Sequence, residues 1–140
     1  MREIRVVAAV IWRNGRVLAA QRAAGATRAG YWEFPGGTVE LEESDEECLA
    51  REIREELSLE VTVGEELLSV THQYPDLGVR LHAYRCECPE GEPVLRAHQA
   101  LRWLLPAELD QVTWSEADRP VVAQLQTGTT APEGTARRRG

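Results

Sequence analysis

GTVELEESDEECLAREIREELSL, Gly37 to Leu59, carries the densest local signals in this 140-residue chain. Ser44 followed three residues later by Glu47 is a capping-box signature. Leu49, Ile53 and Leu57 then recur every fourth residue, so the spacing predicts a helix over 45–57. At about 100° per residue, Glu52, Glu55 and Glu56 fall within one sector about 100° wide. Glu56 lies about 20° around the helix from Leu49 and Glu52 about 60°, so both border the buried stripe. Like charges so placed cost a few tenths of a kcal/mol per pair, against similar gains from pairs such as Glu47 with Arg51. A solvated, salt-laced face is therefore energetically possible. Carboxylates at the edge of a buried stripe, however, need a counter-cation, and the preceding "PGG", 35–37, leaves backbone groups open to a ligand. Clustered oxygen donors suit a hard divalent cation that also binds phosphate.

Upstream, "IRVVAAVIW" and "RVLAAQR" read as strands joined by "RNG", where Asn14-Gly15 is the strongest short hairpin signal. The stretch that follows, "AAGATRAGYWEFPGGTVELEE", mixes glycines and a proline with aromatics and reads as a functional loop. Downstream, "EVTVGEELLSVTHQY", "GVRLHAYRCEC" and "ALRWLL" read as strands, with "QYPDLG" a turn between the first two. "PAELDQV" fits a short helical turn. "EADRPVVAQLQ" fits a second helix with Asp118 as N-cap and Pro120 in its first turn. Helices and strands without regular βαβ spacing point to the α+β class, a mixed sheet with helices on its faces, in one domain over 1–126. Residues 127–140, small, polar and basic without periodicity, read as a disordered tail.

A content of 43% apolar and 28% charged residues is ordinary for a globular domain. No run is long enough to span a membrane, and "VVAAVIW" reads as a strand rather than an export signal. The three cysteines form neither a CxxC pair nor an even disulfide set, which fits a reducing cytoplasm. A net charge of -7 argues against a nucleic-acid polymer as partner, because that affinity comes from Lys and Arg neutralising phosphates. An acidic chain can still hold an acidic substrate if metal ions supply the positive charge.

The run Gly37 to Leu59 resembles the Nudix box, with Gly37, Glu43, Arg51, Glu52, Ile53, Glu55, Glu56 and Leu59 on its fixed places. Similarity extends over roughly Val6 to Leu125 and looks like MutT-type enzymes and their CTP pyrophosphohydrolase branch. The resemblance implies the Nudix fold, a mixed β-sheet sandwiched between α-helices. It also implies magnesium- or manganese-dependent hydrolysis of a nucleoside triphosphate, of cytidine or oxidised-guanine type, to monophosphate and pyrophosphate. Carried over by residue, the Gly36 carbonyl with Glu52, Glu55 and Glu56 would ligate metal. Arg51 would orient the glutamates and Glu43 would support the loop. Arg22, Phe34, Gly37 and Asp118 would contact the nucleotide, Asp118 at the base. Tyr74, Tyr31 and Trp32 offer faces for stacking on a base.

Two positions depart from the family pattern. Ser58 replaces the glycine after the double glutamate and must end the helix in a left-handed conformation or in some other way. Ala97 stands where MutT-type enzymes often carry a further glutamate, which leaves His98, Glu55 or a metal hydroxide as general base. A non-catalytic nucleotide sensor and an enzyme cleaving a nucleotide sugar or dinucleotide are the rival readings. Monomer and homodimer both remain open.

Overall fold

The computed structural model describes residues 2–128. Strands β1 (Glu3–Arg13) and β2 (Arg16–Arg22) form the expected hairpin. Asn14 at φ 53° and Gly15 at φ 78° make the turn, a conformation that asparagine and glycine tolerate best. The two strands pair only at Trp12 with Val17 and Arg13 with Arg16, then splay apart. The long loop does not stay irregular: it supplies β3 (Trp32–Glu33) on β2 and β4 (Gly36–Thr38) on β1. These strands of two and three residues leave too little alternation to be read from sequence.

The other faces of the splay are filled by long-range pairing. β5 (Thr62–Gln73) and β6 (Gly78–Glu87) form an antiparallel pair, and β6 runs parallel to β1 from Glu3 to Trp12. β7 (His98–Leu104) pairs antiparallel with β2, and it begins at His98, two residues before the strand expected from sequence. The sheet is therefore mixed. The helix α1 spans Asp45–Leu57, and α2 spans Arg119–Thr127 after 3-10 turns at Pro106–Gln111 and Glu116–Asp118. Helix α2 thus takes in Thr127, with Gly128 as its C-cap. The rest of the tail expected over 127–140 lies outside the described residues.

Alternation along β1 sends Val7, Ala9 and Ile11 towards Leu49, Ile53 and Leu57 of α1. Ala8 and Val10 point the other way, into a core with Val121, Val122 and Leu125 of α2. The sheet is thereby sandwiched between helices. Ser44 and Glu47 exchange both capping-box bonds at 3.0 and 2.9 Å, and Ser58 ends α1 in the left-handed region at φ 57°. No helix among the described residues is long and apolar enough to cross a membrane.

The start of α1 is tied to the sheet by Asp45. Its carboxylate accepts from Arg5 Nε and Nη2 at 3.0 and 2.7 Å and from the buried Tyr84 hydroxyl at 2.6 Å. The Arg5 hydrogen bonds outweigh burial and hold the Asp45 carboxyl below its ordinary value of 3.8. Stability from this group is present above that value and is lost as pH falls through the lower folded value. Asp45→Ala should cost about 1–3 kcal/mol, since the Tyr84 hydroxyl is left buried without a partner. Denaturant unfolding at neutral and acid pH checks this, and the difference between the proteins should shrink as the pH drops.

Candidate active site

A cleft of about 470 Å³ opens where β1 and β2 splay, between the β3–β4 segment and the start of α2. Gly36, Gly37 and Glu56 lie at one end of its lining. Gly36 is required by backbone contact, and Gly37 keeps the Glu52 carboxylate in its present place. A Cβ on Gly36 would collide with the Val7 carbonyl, and one on Gly37 would collide with the Glu52 carboxylate. The first permits β4 to pair with β1, and the second leaves room for Glu52 against the strand.

Glu52 and Glu56, one turn apart on α1, crowd each other there. Glu56 Oε1 is buried without a hydrogen-bond partner. Burial, then the hydrogen bond and charge of Glu52, then the charge of Glu33, push the Glu56 carboxyl up to about 9, against a weaker opposing effect of the Gly36 amide. The pair therefore retains a proton that a divalent cation would displace. Among the described residues no three His, Cys, Asp or Glu side chains already converge as a metal cage. The oxygen-only donor set and the orphaned buried carboxylate oxygen nevertheless suit a hard cation completed by water and phosphate.

Arg51 braces the other side of this end. Its Nε and Nη2 form a fork on Glu43 at 2.6 and 3.0 Å. Its Nη1 reaches Glu52 at 3.3 Å and Glu55 at 3.2 Å. The Arg51 hydrogen bonds hold Glu43 down at about 2. Glu55 is the outlier of the three glutamates: its side chain is 60% exposed, whereas that of Glu52 is 18% exposed. The structure pairs Glu55 with Arg51, and of the three glutamates only Glu56 lines the cleft.

The middle of the cleft is organised by Glu33, which sequence reasoning missed. It accepts from Arg22 Nη1 at 2.8 Å and bonds His98 Nε2 at 2.9 Å. Burial raises the Glu33 carboxyl, but His98 and Arg22 together outweigh it and leave it below the ordinary value. Arg22 is further occupied by Thr27, through Nε to the carbonyl at 2.6 Å and Nη2 to the hydroxyl at 3.2 Å. His98 is 5% exposed, and its Nδ1 is buried without a partner. The available signal for this cluster was a lone carboxylate inside the aromatic run "YWEF".

At the far end Phe34 stacks on Trp114 with ring centroids 4.6 Å apart. Asp118, 4% exposed, accepts from the Phe34 amide at 3.4 Å. It makes no side-chain cap bond to α2, because it already has helical backbone angles as the last residue of a 3-10 turn. The N-cap role expected from sequence is thus absent. Burial first, then the charge of Glu33, pushes the Asp118 carboxyl well above its ordinary value. This favours a neutral acid that donates as well as accepts, rather than the acceptor-only carboxylate that ionisation would give. The Tyr74 hydroxyl accepts from the Ala117 amide at 2.9 Å. Trp32 is buried in the core, and Tyr31 lies 40% exposed outside the cleft lining.

A family model described as the NUDIX domain matches residues 6–124. The chain belongs to the Nudix hydrolases. This Nudix hydrolase is 45% identical over 124 residues to the CTP pyrophosphohydrolase of Escherichia coli K12, covering 87% of this chain and 90% of that one. It is 43% identical over 128 residues to the putative 8-oxo-dGTP diphosphatase 2 of Mycobacterium tuberculosis H37Rv, covering 86% of each. The solution structure of the E. coli ORF135 protein superposes with a TM-score of 0.79 at 40% identity, covering 96% of each chain. The expected Nudix fold is the one observed.

The raised Glu56 carboxyl has a measurable consequence for the metal-free protein. The unfolded chain ionises this group near its ordinary value of 4.5 and the folded chain near 9. Between those limits the unfolded state binds fewer protons, so the group's contribution to stability falls as pH rises. Glu56→Gln should remove that slope in denaturant unfolding from pH 5 to 9. Carboxyl-carbon NMR should show Glu56 titrating far above its ordinary value.

Proposed function

We propose that this Nudix hydrolase cleaves nucleoside triphosphates to monophosphate and pyrophosphate, with cytidine and guanine nucleotides, oxidised guanine included, as substrates. The observation that carries this reading is the buried, partnerless Oε1 of Glu56 beside Glu52, beneath the Gly36–Gly37 strand. A buried carboxylate oxygen without a partner at one end of the cleft, with a buried aromatic and Asp118 at the other, suits a phosphate–cation cluster joined to a planar base. The names of the E. coli and M. tuberculosis relatives support the same substrate class.

The Gly36 carbonyl, Glu52 and Glu56 would hold magnesium or manganese, with Glu55 as a further carboxylate if it turns from Arg51. Bound there, the cation would polarise the phosphates, activate water and neutralise charge on the leaving oxygen. Arg51 keeps Glu52 from turning into solvent, and Glu43 fixes Arg51. Arg22 and His98 hold Glu33 ionised across the middle of the cleft, and Phe34 and Asp118 receive the base. His98 Nε2 is committed to Glu33, so the ring acts as a positioning group rather than the base that takes the proton from water. The buried free thiols of Cys48, Cys86 and Cys88 suit the reducing cytoplasm.

Incubation with magnesium and a panel of CTP, dCTP, GTP, oxidised dGTP, ATP and a nucleotide sugar tests the proposal. Pyrophosphate with monophosphate is the expected product pair. A sugar phosphate, or saturable binding without turnover, would overturn it in favour of another substrate class or a sensor. Glu56→Gln should lower kcat by several orders of magnitude while the protein stays folded, with a melting temperature at neutral pH no lower than that of the wild type.

A further inference from the structure

Two arginines line the cleft, and they are not equivalent. Arg22 is consumed by Glu33 and Thr27. Arg28 is not. Its guanidinium carbon lies 3.9 Å from the Tyr74 ring centroid, and its Nη1 makes one long contact, 3.4 Å, to the half-exposed Asp76. The side chain is only 25% exposed, so it is laid down on the aromatic face rather than waving in solvent. A guanidinium seated on a ring keeps its N–H donors in its own plane, directed outward past the ring edge.

Two further features fix the direction of that seat. Arg28 has a left-handed backbone at φ 54°, strained for a residue with a side chain, and Gly25 and Gly30 stand close by in the same loop. Strain of this kind persists where the surrounding structure holds it, and it gathers at ligand-binding sites. Tyr74 is itself locked, because its hydroxyl accepts from the amide of Ala117, the residue before Asp118. The arginine is therefore registered to the Asp118 end of the cleft, while Glu56 and the glycines line the other end.

We propose that Arg28 is a specificity-determining residue: seated on Tyr74, it donates hydrogen bonds to an exocyclic carbonyl of the nucleobase while Asp118 meets the base's amino or ring N–H group. This rests on the reading that the cleft takes the base of a nucleoside triphosphate at its Phe34–Asp118 end. Cytosine offers a carbonyl oxygen and an amino group, and guanine offers a carbonyl with an N–H and an amino group. Adenine has no carbonyl, so Arg28 gains nothing from it. Uracil also pairs a carbonyl with a ring N–H, so these two contacts admit it. A cationic carbonyl donor beside a carboxyl thus favours carbonyl-bearing bases such as cytosine and guanine over adenine.

The test is kcat/KM together with equilibrium affinity for CTP, GTP and ATP, on the wild type, Arg28→Gly and Arg28→Lys. Glycine relieves the positive φ, so the first variant should fold with an unchanged melting temperature. The expected result is a loss of about tenfold or more for CTP and GTP, carried by KM, with ATP changed less than about twofold. Lysine, which keeps the charge without the planar fork, should restore only part of the preference. An equal loss for all three nucleotides would overturn the proposal, since it would mean a contact to phosphate or a merely structural role, and so would no loss at all. If the wild type binds CTP without cleaving it and Arg28→Gly abolishes that preference, Arg28 stands and the hydrolytic reading fails. Wild-type turnover with base preference untouched in both variants means the reverse, and a wild type that binds no nucleotide overturns both.

Discussion

Glu52 and Glu56 sit one helical turn apart against a strand where Gly36 is required by the Val7 carbonyl, and burial together with Glu52 pushes the Glu56 carboxyl far above its ordinary value. The buried stripe of Leu49, Ile53 and Leu57 sets the rotation of α1 and so leaves these carboxylates no solvent-facing alternative. Arg51 relieves one side, but its fork is committed to Glu43 and it reaches Glu52 with a single nitrogen at 3.3 Å. What remains is a demand for positive charge inside an acidic chain. A substrate arriving as a complex of phosphate and cation meets that demand, which reconciles a net charge of -7 with a polyanionic ligand.

The cleft has two ends with different chemistry, separated by Glu33. This carboxylate raises both Glu56 and Asp118 by its charge, and it is itself kept ionised by Arg22 and His98. Glu33 thereby couples the two ends electrostatically without belonging to either. The same arginine that anchors it also ties down the Thr27 loop, so the loop carrying Arg28 is fixed by the group that organises the centre. Fold and site share their supports: β3 and β4, the short strands in the splay of the hairpin, carry Glu33, Gly36 and Gly37.

Local chemistry was legible in the sequence. Ser44 with Glu47, the fourfold leucine and isoleucine spacing, and Asn14-Gly15 each specify their conformation within a few residues, and α1 and the first turn match them. The Nudix spacing likewise located the Glu52–Glu56 end through the family resemblance. Long-range chemistry was not legible. His98 meets Glu33 across 65 positions, and Asp118 meets Phe34 across 84, through strand pairings that no periodicity announces. Asp118 at the head of a helix resembled an N-cap in sequence, yet the 3-10 turn before it turns its carboxyl towards β3. Glu55, which the helical spacing sets about 120° from Leu49 and so off the buried stripe that Glu52 and Glu56 border, is exposed accordingly.

The proton held between Glu52 and Glu56 offers the sharpest measurement. Calorimetric titration of magnesium or manganese into the protein near pH 7, repeated in buffers of different ionisation enthalpy, counts the protons released per ion bound. Net release that disappears in Glu56→Gln is expected. Cation binding without proton release, or unchanged release in that variant, would contradict a metal site built on these two carboxylates.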